Sequence, residues 1–124
     1  MKRIDELPAR AVRISRADGT PYPDDDWRTP YVGCMGMLGI YESKERYPGK
    51  KAGYFGFIVA RGSDGELGYA PGCRLQTSVG EVRRDGSRTT IETANSVYEF
   101  ERLEGEELVE YTVIASLFSR ADAL

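Results

Sequence analysis

The stretch EVRRDGSRTTIE (81–92) constrains the fold more than any other part of the chain. Asp85-Gly86 is a favoured two-residue hairpin loop, and the residues on either side have strand character, so an antiparallel pair is expected here. Centring the turn on Asp85-Gly86 places Arg83 opposite Arg88 and Arg84 opposite Ser87. Continued down the hairpin, that register brings Val79 against Glu92 and Ser78 against Thr93, with Thr77 opposite Ala94. Two arginines facing each other repel, so Glu99 or Glu101 on the next strand is the expected neutraliser.

The rest of the chain has the same grain. ARAVRISR (9–16) alternates, GYFGFIVAR (53–61) is rich in β-formers, and SVYEFERL (96–103) sets Tyr98 and Phe100 against Glu99 and Glu101. YVGCMGMLGIYE (31–42) is apolar, with Gly33, Gly36 and Gly39 at intervals of three. LVEYTVIASLF (108–118, within 107–120) can be read two ways. A helix would put Glu110 in its apolar face, whereas a strand puts Val109, Tyr111, Val113, Ala115 and Leu117 on one side; strand is the reading we favour. The expectation is a mostly β single domain over 1–124: a small antiparallel barrel or compact sandwich of about six to eight short strands, with little helix. An acidic loop, ADGTPYPDDDWRTP (17–30), interrupts it.

Several chemistries are excluded by what is missing. The chain has no histidine and two cysteines, Cys34 and Cys73, with no CxxC. That removes Ser–His and Cys–His pairs, imidazole bases and a complete zinc site, so no enzyme activity, metal or cofactor is expected. The glutamates of FERLEGEELVE read as a solvated turn face. Gly33, Gly36 and Gly39 lack the helix start that a phosphate loop requires, and fit glycines that admit a close neighbour in a strand. MKRIDELPARAV has no apolar core of the secretory type, and no run is long enough to cross a membrane as a helix. A cytoplasmic protein with reduced cysteines is therefore expected.

Three groups of residues remain as candidate sites. Tyr22, Asp24, Asp25, Asp26 and Trp27 offer aromatic anchors beside steering charge, a pattern suited to a protein partner with a basic surface. Asp24–Asp26 lack the spacing and distal glutamate of a calcium loop. Arg74, Arg83, Arg84 and Arg88 form the alternative, a cluster on the 74–88 hairpin that would contact an anion, nucleotide or nucleic acid. A second basic loop holds Lys44, Arg46, Lys50 and Lys51. The net charge of −3 makes nucleic acid the lesser partner. Gln76, Thr77, Ser78, Thr93, Asn95 and Ser96 form a hydroxyl-amide cluster containing the sole glutamine and sole asparagine of the chain. Its simplest role is structural, with Asn95 bending the strand.

RLQTSVGEV and TTIETANSVYEFE together resemble a pattern in small uncharacterised proteins encoded by phages and other mobile elements. There, a strand carrying T-S-x-V precedes one ending T-x-N-S-x-Y; the matching residues here are Thr77, Ser78, Thr93, Asn95, Ser96 and Tyr98. The resemblance implies a mobile-element context. Small acidic proteins in that context resemble inhibitors of host defence complexes, such as anti-CRISPR proteins, acting in the host cytoplasm. No catalytic residue is implied.

Overall fold

The structure is a computed structural model that describes residues 2–43, 49–61, 64–70 and 73–123. Among the described residues, eight strands pair antiparallel in one sheet: β1 (Lys2–Arg16), β2 (Met35–Ser43), β3 (Lys50–Arg61), β4 (Leu67–Ala70), β5 (Leu75–Gln76), β6 (Gly80–Asp85), β7 (Arg88–Thr93) and β8 (Ser96–Arg102). The order β2-β1-β8-β7-β6-β3 returns on itself because β2 also pairs β3, giving a closed ring of six strands. The β3–β6 junction is a single register pair, Lys51↔Gly80. The mostly β, antiparallel expectation holds.

Burial explains why the ring closes. Ala9, Ala11, Leu38, Ile40, Phe55, Leu75, Ile91 and Phe100 are all buried in one cluster inside it. Phe55 and Phe100 meet with centroids 5.2 Å apart in a tilted arrangement. β1 keeps its apolar side inward by changing parity. Ala9 and Ala11 face the core, the pairing with β8 slips between Ala11 and Arg13, and Ile14 then takes the inner position. The strand is also longer than ARAVRISR, since residues 2–8 pair with β2 before β8 joins.

Gly36 and Gly56 show what the glycines of β2 and β3 do. A Cβ on Gly36 would lie 2.5 Å from the Gly56 carbonyl oxygen, so β3 approaches β2 this closely only because Gly36 carries no side chain, whereas a Cβ on Gly56 would meet the Tyr54 ring of its own strand. This is the close-approach reading of the glycine series; Gly33 lies outside the strand, in the turn before it, at φ +91°.

Two expectations are corrected. The segment read as a last strand is α1 (Gly105–Ala123), so the fold contains a substantial helix. Leu108, Tyr111, Ile114 and Ala115 recur at helical spacing and pack with Met35, Val59 and Leu103 in a second cluster. Val109, Val113 and Leu117, which the strand reading placed on the buried side, are exposed. Glu106 and Glu107 in the first turn favour the helix by facing the positive end of its dipole. Burial against a preformed sheet overrides the β-propensity of Val, Tyr, Thr and Ile.

The hairpin register is the other correction. Asp85 pairs with Arg88, so the two-residue loop is Gly86-Ser87, with Gly86 at φ +61°. A glycine with positive φ at the first central position satisfies the turn. Each pair shifts by two residues, which preserves the faces but changes the partners: Val82↔Ile91, Arg83↔Thr90 and Arg84↔Thr89. The Arg83–Arg88 apposition does not arise.

Candidate functional site

The acidic loop is a braced structure lying on the end of the β7–β8 hairpin. Asp18 Oδ1 accepts from the Thr20 amide (2.9 Å) and hydroxyl (2.6 Å), closing a local turn that lowers the Asp18 pKa. Pro21 bridges back to Ser15, and the Ala17 amide donates to the Asn95 carbonyl at 3.0 Å. The Tyr22 hydroxyl reaches across 74 positions of sequence to the Ser96 hydroxyl at 2.5 Å, and also donates to the Asn95 carbonyl at 3.2 Å. Ser96 is buried, so Tyr22 satisfies a hydroxyl that water does not reach.

The three aspartates divide into two roles. Asp24 and Asp25 are exposed. Asp26 turns inward: its Oδ1 accepts from the Arg28 amide at 2.9 Å, and its carboxylate pairs with Arg28 Nη1 at 3.1 Å. The Arg28 amide bond, opposed by some burial, holds the Asp26 carboxyl below its ordinary range. Arg28 in turn lies over the rings of Tyr22 (4.3 Å) and Trp27 (4.7 Å). Burial works against the Arg28 charge, but hydrogen bonds with Tyr98 and Asp26 outweigh it and its pKa is raised. Trp27 itself is 55% exposed, the sole tryptophan of the chain held outward by a guanidinium on one side of its ring.

Beneath Trp27 lies a cleft of about 290 Å³. Its walls include Arg28, Gln76, Ser78, Thr93, Asn95 and Ser96. The hydroxyl-amide cluster and the acidic loop therefore form one site, which neither group reveals alone. Thr77 is the exception. Its buried hydroxyl accepts from the Gly53 amide at 2.8 Å and donates to the Ser78 carbonyl at 2.9 Å, fixing the chain beside β3. The structural role expected of the cluster applies to Thr77, and also to Thr93, whose hydroxyl accepts from the Ser96 amide and donates to the Ser96 carbonyl, both at 3.1 Å. Asn95 does not bend a continuous strand; with Ala94 it makes the two-residue connection between β7 and β8. Among the described residues, the side chains of Gln76, Ser78 and Asn95 have no hydrogen-bond partner in the protein.

The arginine alternative is dispersed into ion pairs. Arg83 pairs with Glu92 and Arg84 with Asp5. Arg88 Nε lies 2.7 Å from Glu101 and its Nη1 3.4 Å from Glu99, the neutralisers expected from the sequence. Arg74 donates to the Tyr54 hydroxyl at 2.9 Å, and that bond raises its pKa. In the second basic group, Lys50 pairs with Glu81 at 2.5 Å, while Lys44 and Arg46 lie outside the described residues.

Cys34 is buried and Cys73 exposed, and both are free thiols. Burial, with a smaller effect of Cys73, pushes the Cys34 thiol up, away from the reactive thiolate. Among the described residues, no three His, Cys, Asp or Glu side chains are grouped to hold a metal, and no helix is long and apolar enough to cross a membrane. Comparison with protein-family models, curated proteins and solved structures finds no match to this chain.

Proposed function

We propose that this is a non-enzymatic binding domain whose Trp27 loop docks on a basic surface of a protein partner. The observation that carries the reading is the bracing of the loop: the Tyr22 hydroxyl, the Asp26 carboxylate and Arg28 Nη1 are engaged internally, while Trp27 and the carboxylates Asp24 and Asp25 are exposed on the same loop. A prepositioned aromatic loses little freedom on binding, and a tryptophan in that position suits an interface anchor. Exposed aspartates beside it speed encounter with a positive patch. The resemblance to mobile-element proteins supplies the class of partner, a cytoplasmic host defence complex whose basic groove ordinarily faces nucleic-acid phosphates. An acidic, anti-CRISPR-like inhibitor would occupy such a groove.

The arginine-cluster reading, a small β domain binding nucleic acid or a nucleotide, is less well supported because Arg83, Arg84 and Arg88 already face carboxylates. Capture from host lysate, with partners identified by mass spectrometry, tests the proposal. Asp24→Ala with Asp25→Ala should weaken capture in a salt-dependent way, and Trp27→Ala should abolish it. Asp26 is left intact because its loss would disturb the loop itself. Unchanged capture by both variants refutes the docking role.

A further inference from the structure

The cleft beneath Trp27 has features that protein docking does not require. The chain has one glutamine and one asparagine, both border this cleft, and among the described residues neither carboxamide has a hydrogen-bond partner; Gln76 also lines a second cavity beside Tyr41 and Tyr54. A carboxamide presents a donor and an acceptor side by side in one plane. Ser78 adds a free hydroxyl, and the exposed indole of Trp27 stands at the rim with Arg28 covering part of its π surface.

The lining selects a class of ligand. Its apolar contribution comes from Val79, Ala94 and the aromatic rings, too little for a lipid or other greasy molecule. Among the described residues Arg28 is the only cation in the lining; its Nη1 is paired with Asp26 and its unpartnered Nε is buried, so one half-neutralised guanidinium is all the positive charge offered to a phosphate. Asp24 and Asp25 on the same loop add repulsion toward an anion. At about 290 Å³ the cleft lies at the small end of ligand pockets, which suits one ring system. A flat, uncharged ring with adjacent donors and acceptors on its edge meets all these conditions: it stacks on an indole and is read by carboxamides. Adenine, whose N6 and N7 match a carboxamide in bidentate fashion, is the best-matched example.

We infer that the cleft between the Trp27 loop and the β7–β8 turn binds a nucleobase, with Trp27 as the stacking platform and Gln76 and Asn95 as the groups that read its edge. The base can come from a free nucleoside or from an unpaired position in a strand. The site shares Trp27 with the proposed protein docking but not Asp24 and Asp25, which do not line the cleft, so the two are separable by experiment.

Because Trp27 is the sole tryptophan, its fluorescence reports this cleft alone. Titration with adenosine, excited at the red edge of indole absorption, should give saturable quenching with Kd of about 0.1–1 mM, as expected for a small neutral ligand. Gln76→Ala and Asn95→Ala should each weaken binding about tenfold. Both side chains are exposed and unbonded, so the melting temperature of each variant should match the parent. Asp24→Ala with Asp25→Ala should leave adenosine quenching intact even where it weakens protein capture. Adenosine bound as tightly as a short oligo(dA) assigns the base to a free nucleoside; tighter, salt-sensitive oligo(dA) binding assigns it to a strand. Either result upholds base recognition. No saturable quenching by adenosine, guanosine, cytidine or uridine overturns it. So does quenching that is unchanged in both carboxamide variants, AMP binding more tightly than adenosine in a manner independent of Gln76 and Asn95, or preference for methyl glucoside over every nucleoside.

Discussion

Tyr22→Phe is the sharpest test of how the loop is held, because it removes one oxygen and keeps the ring. The Arg28 contact with the Tyr22 face, at 4.3 Å, survives the change. What is lost is the bond to the Ser96 hydroxyl at 2.5 Å and the weaker one to the Asn95 carbonyl at 3.2 Å. The Asn95 carbonyl keeps the Ala17 amide at 3.0 Å, so its loss is minor. Ser96 is 2% exposed, and its hydroxyl is left without a partner. Stranding a buried hydroxyl costs about 1–3 kcal/mol, and we expect about 2 kcal/mol here. For a domain of this size that lowers Tm by roughly 6–10 °C. Ser96→Ala alone should cost less, because the half-buried Tyr22 hydroxyl still reaches Asn95. The double variant should be no worse than Tyr22→Phe, a non-additivity of about 1 kcal/mol or more. Urea denaturation followed by far-ultraviolet circular dichroism measures all three, and Trp27 anisotropy in the folded state should fall as the loop loosens. A Tyr22→Phe cost under about 0.5 kcal/mol, or simple additivity, would show that the loop does not depend on this strut.

Gly36→Ala forces a Cβ to within 2.5 Å of the Gly56 carbonyl, a backbone atom that cannot rotate away, and should cost about 1–3 kcal/mol by chemical denaturation. On the helix, Val113→Glu should change stability by less than about 0.5 kcal/mol, whereas Tyr111→Ala should cost about 3–5 kcal/mol, since Tyr111 is buried and Val113 is half exposed. A strand at this position would make both changes severe. Glu101 is held below its ordinary value of 4.5 chiefly by the Ser87 hydroxyl and then by Arg88. Its stabilising contribution is complete above the unfolded value, declines below it, and is gone once pH falls through the folded value. Stability curves measured downward from pH 6 should therefore be flatter in Glu101→Gln over that acid range, and parallel curves would refute the assignment.

Local chemistry explains why the β architecture can be read from the sequence. A glycine at a two-residue turn, alternation in SVYEFERL and clusters of β-branched residues act over a few positions, and they give strands in β1, β3, β7 and β8. The same locality explains the two misreadings. Asp85-Gly86 and Gly86-Ser87 are both acceptable turns, and the choice rests on cross-strand partners: Val82 beside Ile91, and Arg88 beside Glu101. LVEYTVIASLF has strand propensity, yet it is helical because Leu108, Tyr111 and Ile114 find Met35, Val59 and Leu103 at helical spacing, a surface that exists only once β2 and β3 are paired.

The candidate site follows the same division. The sequence by itself determined the ingredients: an acidic loop with one tryptophan, a hydroxyl-amide cluster, and no histidine to run acid–base or metal chemistry. Only the tertiary structure decided that the first two form one cleft, that Asp26 serves the loop while Asp24 and Asp25 face outward, and that the hairpin arginines are already neutralised. Composition and short-range pattern record what each residue can do. Which residues meet depends on contacts such as Tyr22 with Ser96, 74 positions apart, and those form only when the ring of strands closes.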